Sequence, residues 1–466
     1  MISQRHSISP FLAKLLLNRN IFDEDIENFL NPDLFKNLPD PFILKDMKKS
    51  VKRTYTALIK NEKIGIIADY DVDGSTSAAI LTKFFELLNK QVLLKIPNRL
   101  ADGYGPNHKI MNELIEKKID LLFTLDCGTT SFNIFDQKKF SKLDTIIIDH
   151  HISEKILPNV FSIINPNRFD EKRIFQDLAA VGVTFIFLLA LRKYLREKNF
   201  FNLKNMKEPN LLSFLDLVAL GTVCDVVNLR NYNRVFVKKG LEIIKKRNNK
   251  GIAAIIDNSK IMHVPSTSDL GYIIGPQLNS ASRIDESSLS SQLLISNNII
   301  EIENISKKIF LLNEKRKLIE QKILEQAFEQ CIDQKNRKIL IVKGNFWHKG
   351  VLGIIASRVT EKYNKPSIVI SLSDKICVGS ARSIKDIDIG NIILIAKEKG
   401  FLLNGGGHQM AAGITLGAFA GFNIDKWLDS SPIMFIVFFL LGAGSGMFTS
   451  YRTIKKMGLS PMSAMT

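Results

Sequence analysis

Four acidic clusters carry the chemistry this sequence is equipped for: Asp69, Asp71 and Asp73 in ADYDVDG, Asp126 in LDCG, Asp149, His150 and His151 in IIIDHH, and Asp225 in GTVCD. They supply carboxylate oxygens and imidazoles. Hard divalent cations take carboxylate oxygen and imidazole also suits manganese, so the mixture points to Mn²⁺ or Mg²⁺ rather than to a thiolate-bound metal. Two such ions are easily housed by so many ligands, and a pair can bind a scissile phosphate, activate water and stabilise both attacking and leaving oxygens. Taken singly the pieces have other readings. D-x-D-x-D-G opens an EF-hand calcium loop, but its twelfth position here is Ile80, not Glu, and a strand precedes it. A lone His-His pair is ordinary on a surface or in a satisfied core; beside further acidic motifs at strand ends it reads as part of a site.

The elements that must position these residues follow from hydrophobic periodicity. An apolar run IGIIA leads into DYDVDG, and a helix follows with Ala78, Leu81, Phe85 and Leu88 on one face. The unit recurs with VLLKI, LLFTL before Asp126 and TIIID before His150, which predicts a mainly parallel sheet with helices on both faces. The acidic loops then fall at strand carboxyl ends, where open α/β sheets bind ligands. Residues 1–60 read as a lead-in of short helices broken at Asn31-Pro32 and Asp40-Pro41. A connector helix is expected over 301–336, where Ile302, Ile305, Ile309, Leu312, Ile319 and Ile323 recur at helical spacing. KILIVKG and PSIVISL beyond it predict a second, smaller α/β domain over 337–416, leaving 61–300 as the catalytic domain.

Composition sets the outer bounds. The chain has 466 residues, 45% of them hydrophobic, enough for two or three domains with real cores. A formal net charge of +17 suits a polyanionic partner such as nucleic acid or an acidic membrane surface, although a Lys-, Ile- and Asn-rich composition also raises that figure without function. Cys127, Cys224, Cys331 and Cys377 form no C-x-x-C pair, which argues against a disulfide framework or a structural zinc site and for a reducing compartment. The N-terminal MISQRHSISPFLAKLLLNRN lacks a small-residue cleavage site, so no export signal is expected and a cytoplasmic location is.

In their order, ADYDVDG, LDCG, DHH and GTVCD resemble the four motifs of the DHH phosphoesterases. FLNPDLFKNLPDP, IPNRLADGYG, AVGVTF, ALGTVCDVVNL, WHKGVLGIIASR, GSARS and GGGHQMAAG extend the resemblance to RecJ-type exonucleases over roughly residues 8–416. That resemblance implies a monomeric enzyme that degrades single-stranded DNA 5′ to 3′ to 5′-mononucleotides in recombination and repair, with two Mn²⁺ or Mg²⁺ ions per site. It implies that Asp71 and Asp126 hold one metal and that Asp73, Asp126, His150 and Asp225 hold the other, with Asp69 a further ligand. His151 would face the phosphate or its leaving oxygen, and Asp149 would orient a histidine. The DHH-associated domain would hold the strand through His348, Arg358, Ser380, Arg382, Gly406 and His408, with Arg99 and Arg283 as further phosphate contacts. Guanidinium forks suit phosphates, and the glycine run Gly405 to Gly407 allows backbone N–H groups to approach one closely or serves a turn. Arg358 could instead cap a helix end, and Trp347 is expected to pack rather than stack. GPQLNSASR departs from the family's GPRxNAxGR at Gln277 and Ser282, and loss of a cation at 277 is expected to weaken strand binding. Shorter relatives that cut oligoribonucleotides or cyclic dinucleotides are the alternative, as is an inactive truncated or fused gene product that only binds DNA.

Residues 417–466 fit neither domain. Where RecJ-type enzymes continue into an OB-fold, this chain reads GAFAGFNIDKWLDSSPIMFIVFFLLGAGSGMFTSYRTIKKMG and resembles ATP synthase protein I. Ile433 to Phe448 carries no charge and Arg452, Lys455 and Lys456 close it, so a transmembrane helix and membrane contact through 433–451 are expected, against a buried C-terminal helix as the other reading. One span with that charge bias would place the nuclease on the wrong side of the membrane, which a gene fused to or read into a neighbour would explain.

Overall fold

The computed structural model describes residues 2–34, 38–373 and 376–417, with backbone alone at His408 and Gly417. The described residues divide into two compact units, 2–314 and 315–417, with the boundary inside the long helix Ile299–Ile332.

The first unit is built on a five-stranded sheet of order β2-β1-β3-β4-β5, comprising β1 (Ile64–Ala68), β2 (Val92–Lys95), β3 (Leu121–Leu125), β4 (Asp144–Ile148) and β5 (Ser162–Ile164). Every pairing is parallel. Parallel strands need crossovers that cover both faces, so their sequences run continuously apolar. Residues Ile66, Phe123 and Ile148 enter one cluster with the helices Met47–Ile59, Val72–Leu87 and Ala180–Glu197, while Ile67, Leu122 and Ile147 enter another with Ile110, Met111 and Leu114 of the helix His108–Glu116. The alternation is the pleat itself. The helix Val72–Leu87 differs from its expected single apolar face: Val72 through Thr82 are buried without exception, because the helices Ala180–Glu197 and Leu215–Cys224 cover its other sides.

The lead-in forms the helices Ile2–Arg5, Pro10–Asn18 and Asp23–Leu30, whose Leu16, Ile21 and Ile26 make a small core of their own. The connector Ile299–Ile332 buries Ile302, Ile305, Ile309 and Ile323.

The second unit carries the sheet β6-β7-β8-β10-β9: β6 (Leu340–Asn345), β7 (Ser367–Leu372), β8 (Ile376–Arg382), β9 (Asn404–His408) and β10 (Ala411–Gly417). Only β6 and β7 pair in parallel. The glycine run thus lies in a strand and is not a loop: Gly406 pairs with Gly413, and at Gly407 a Cβ would sit 2.2 Å from the Ala411 carbonyl oxygen. Trp347 packs as expected, with its indole N–H donated to Gln326 at 2.8 Å. No described helix is long and apolar enough to cross a membrane. The expected span at 433–451 and the remainder of 418–466 lie outside the described residues.

Candidate metal centre and nucleic-acid contacts

Three of the four acidic motifs sit where parallel strands end. β1 runs into Asp69, and Asp71 caps the next helix by accepting a hydrogen bond from the Gly74 N–H at 3.0 Å. Gly74 is required there, since a Cβ would lie 2.3 Å from the Asp69 carbonyl oxygen. Asp73, in the first turn of that helix, accepts backbone N–H bonds from Ala180 at 2.6 Å and Val181 at 2.8 Å, so the start of AVGVTF is a helix N-terminus aimed at this carboxylate. β3 ends at Asp126, which takes the left-handed conformation at φ 59° and turns its side chain out of the strand path. β4 ends at Asp149, whose Oδ1 accepts the His150 and His151 amide N–H groups at 2.8 and 3.2 Å and lies 2.7 Å from His151 Nδ1, while its Oδ2 accepts the Thr129 N–H.

The fourth motif is not a strand end. GTVCD closes the helix Leu215–Cys224, with Asp225 at its C-cap. The five apolar or small residues before Asp225 imitate a buried strand, and only the packing of this helix against Val72–Leu87 distinguishes the two. Gly221 permits that packing, because a Cβ would meet Thr76 Oγ1 at 2.3 Å and Asp73 Oδ1 at 3.2 Å.

The side chains converge in three overlapping groups, Asp69 with Asp71 and Asp126, Asp73 with His150 and Asp225, and Asp126 with His150 and His151, each with ligand atoms within 4.8 Å of one another. His150 Nε2 stands 3.4 Å from Asp126, 3.5 Å from Asp225 and 3.9 Å from Asp73. These gaps exceed hydrogen bonds yet suit ligands of a shared cation, since two atoms about 2.1 Å from one ion lie about 3.0–3.4 Å apart when adjacent and about 4.2 Å apart when opposite. Oδ1 of Asp69 and Oδ1 of Asp126 are buried with no hydrogen-bond partner among the described residues. Burial, then mutual repulsion, raises Asp69, Asp73 and Asp126 well above the usual carboxylate range and lifts Asp225 to about 7. Orphaned carboxylate oxygens crowded against one another are what divalent cations relieve, so the residues fit Mn²⁺ or Mg²⁺.

The two histidines differ. Burial and the neighbouring His151 charge lower His150 to about 4, leaving it neutral and ready to ligate. Burial would also lower His151, but the Asp149 carboxylate outweighs it and holds the imidazole up at about 9. Asp149 is held below the usual carboxylate range because the His151 charge and hydrogen bond overcome its burial.

The expected strand-binding residues fall in two places. In the first unit, Arg99 stacks over the Tyr70 ring at 4.8 Å and its charge acts on Asp69, while Arg283, in the last turn of Gly275–Ile284, acts on Tyr70. In the second unit, Ser380 and Arg382 occupy alternate positions of β8 on one face, with Arg382 Nη1 3.1 Å from Ser380 Oγ and Nε 3.2 Å from Ser357 Oγ. Gly353 makes room, since a Cβ there would lie 3.0 Å from Arg382 Nη2. Arg358 is more than half exposed and turns to Glu361 at 3.5 Å and Glu320 at 3.9 Å, a helix-surface arrangement. His348 caps a short helical turn, accepting the Gly350 N–H at Nδ1. The His408 side chain lies outside the described residues. Gln277 is buried and donates to Ser259, so the expected change in strand binding finds no exposed group at that position.

Residues that sequence reasoning passed over complete the centre. Tyr104, in the IPNRLADGYG segment, donates its hydroxyl to the Asp126 carbonyl at 2.8 Å and sets its ring edge against His151. Asn165 and Asn167, in INPNR after β5, hold the His151 and His150 carbonyls. A polar pair in a Pro-containing turn was the available signal.

Residues 63–222 match the DHH family, N-terminal domain, and residues 336–424 the DHHA1 domain. Residues 405–453 match a family described as "Putative F0F1-ATPase subunit Ca2+/Mg2+ transporter". The single-stranded-DNA-specific exonuclease RecJ of Dickeya dadantii is 32% identical over 92% of this chain and 77% of its own length, and that of Escherichia coli is 34% identical over 83% and 70%. Among solved structures, exonuclease RecJ bound to manganese superposes with a TM-score of 0.70 at 28% identity, covering 84% of this chain and 93% of that one. RecJ of Thermus thermophilus in complex with Mn²⁺ gives 0.72 at 27% identity over 88% and 57%. The ordered acidic motifs, their convergence around cation-sized gaps and this likeness along nearly the whole chain have one reading, and the protein belongs to the RecJ family of single-stranded-DNA-specific exonucleases.

Proposed function

We propose that the chain is a two-metal exonuclease that removes 5′-mononucleotides from single-stranded DNA in the 5′ to 3′ direction, in cytoplasmic recombination and repair. The observation that carries the reading is the set of three ligand groups, the first and third joined through Asp126 and the first and second through His150: Asp126–His150–His151, Asp73–His150–Asp225 and Asp69–Asp71–Asp126. Asp69, Asp71 and Asp126 would hold one cation, and Asp73, Asp126, His150 and Asp225 the other. Divalent cations held by these residues would supply charge to neutralise the phosphoryl oxygens and would acidify bound water.

The protein's own groups do the rest. His151, kept protonated by Asp149 through Nδ1, is set to donate from Nε2 to the leaving oxygen. Arg99 and Arg283 lie on the β1 side of the centre and supply charge to a phosphate arriving there. Residues 61–300 make the catalytic domain and 301–336 the connector. Residues 337–416 make a substrate-binding domain in which Ser380 and Arg382 form a phosphate seat and His348, Arg358, Gly406 and His408 are secondary contacts.

The test is mononucleotide release from 5′-labelled and 3′-labelled single-stranded DNA in Mn²⁺. The 5′ label is expected to appear first, and Asp126→Ala to lower the rate on the order of 10³-fold or more, as loss of a preorganised charged group does. Release from the 3′ end, or preference for very short RNA, would sink the reading.

A further inference from the structure

We propose that Asn165 and Asn167 are positioning residues that divide the work of holding the histidine pair, Asn167 setting His150 for metal binding and Asn165 setting His151 for proton transfer. The proposal rests on the metal-centre reading above.

β5 lies beside β4 in parallel register, and the Asp149 N–H donates across to the Ile164 carbonyl. The residues that leave β5 therefore emerge next to those that leave β4, and both strand ends face the metal groups. Asn165, fully buried, donates its amide N–H to the His151 carbonyl at 2.8 Å and to Thr129 Oγ1 at 3.0 Å. Asn167, half-buried, donates to the His150 carbonyl at 2.6 Å and to the Gln176 carbonyl at 3.1 Å. The two are locked together, since Asn165 Oδ1 accepts the Asn167 N–H at 2.8 Å.

The histidine backbone is thus gripped from both sides. Asp149 takes the two amide N–H groups and the asparagines take the two carbonyls. An Asx turn would need only the Asn165 carbonyl oxygen; it gives no reason for both amide nitrogens to point at consecutive histidine carbonyls. The division of labour follows from what each ring does. His150 belongs with Asp73 and Asp225, so a shift of its backbone displaces a cation ligand. The His151 Nδ1 is already engaged by Asp149, so a shift of its backbone re-aims Nε2. Thr129 couples Asn165 to the same carboxylate, because the Thr129 N–H donates to Asp149 Oδ2.

The experiment is a Mn²⁺ titration of the full chain, read by the electron paramagnetic resonance of free Mn²⁺, combined with steady-state kinetics and circular dichroism. Wild type, Asn167→Ala, Asn167→Asp, Asn165→Ala and Asn165→Asp are compared, with Asp126→Ala as the reference for a lost ligand. Asn167→Ala is expected to weaken Mn²⁺ binding about 10-fold, the range for a group that orients a ligand. The isosteric Asn167→Asp should be worse than Ala, because it turns an acceptor toward the His150 carbonyl. Asn165→Asp, which keeps the Oδ1 that accepts the Asn167 N–H, should bind Mn²⁺ within about twofold of wild type while kcat falls about 10-fold at unchanged KM, and Asn165→Ala, which also frees Asn167, should lose some of both. At position 167 a packing role alone reverses the order, with Asp milder than Ala, and that result overturns the proposal. Isotherms of the Asn167 variants superimposing on wild type overturn it too. Absence of Mn²⁺ binding in wild type instead defeats the metal-centre reading, which separates the two failures.

Discussion

The sheet of residues 2–314 and the sheet of residues 315–417 present chemistry in different ways. In the first, five parallel strands direct β1, β3 and β4 to one edge, and Asp69, Asp126 and Asp149 stand one residue past their ends. In the second, the mixed sheet places Ser380 and Arg382 on a face of β8, under the helix Leu352–Tyr363. A strand end lets the chain turn, as Asp126 does in its left-handed conformation, and so gathers carboxylates from several strands into one crowded point. A strand face spaces its side chains at a period of two and gives an array, which suits contact with a phosphate more than the crowding of like charges. The first unit therefore concentrates negative charge that only cations relieve; the second offers hydrogen-bond donors.

If that contrast is right, Mn²⁺ should stabilise one unit and leave the other alone. At free Mn²⁺ a thousandfold above its Kd, binding contributes about 4 kcal/mol to the unit that holds it. Hydrogen exchange is expected to slow by up to about 10³-fold across β1 and β3 and to stay unchanged across β6 to β8; equal protection of both sheets would break the comparison.

A buried carboxylate outside the cluster sharpens it. Burial raises Asp216 to about 6, outweighing the Leu217 N–H that donates to its carboxylate and the charge of the half-buried Lys83, and the residue has no part in the metal groups. Its folded pKa lies above its ordinary value, so the folded state binds the proton more tightly. The stability this contributes is present below about pH 4 and is lost as pH rises through 6, by about 3 kcal/mol at most. Asp216→Asn should accordingly raise the denaturation midpoint at pH 7.5, with the difference vanishing near pH 4, and Mn²⁺ should not alter that difference. A gap that persists at pH 4 would assign the effect to something other than charge burial.

The smallest effect tests the second sheet. Arg382→Ala is expected to weaken single-stranded-DNA binding about 10-fold, or ~1.4 kcal/mol, and to reduce the salt slope of binding by about one, with Mn²⁺ affinity unchanged. Titrations at several salt concentrations measure both, and an unaltered slope would remove Arg382 from the phosphate contacts.

Much of the first sheet was legible because parallel strands buried on both faces must be apolar throughout: IGIIA, LLFTL and TIII announce themselves, and the acidic residues after them mark strand ends. Three-residue β5 was not legible, since Ser162–Ile164 is too short for any period, and with it Asn165 and Asn167 went unremarked. GTVCD misled because a short apolar run before an acid has the same form in a buried helix and a buried strand. The glycine run misled in the other direction: Gly405 to Gly407 has turn composition, yet the close approach of β10 is what demands glycine at 407.

What the sequence by itself determined is the inventory and its order: which residues can ligate a hard cation, that they follow apolar strands, and which family has this series of motifs. Those are local properties, written in residue type and period. What only the tertiary structure decided is which atoms meet. That Asp73 is held by a helix N-terminus a hundred residues away, that adjacent histidines are shifted to opposite sides of the ordinary imidazole pKa, and that two asparagines grip their carbonyls all arise from contacts between segments distant in the chain. Hydrogen-bond geometry and desolvation depend on those contacts, and no local pattern encodes them.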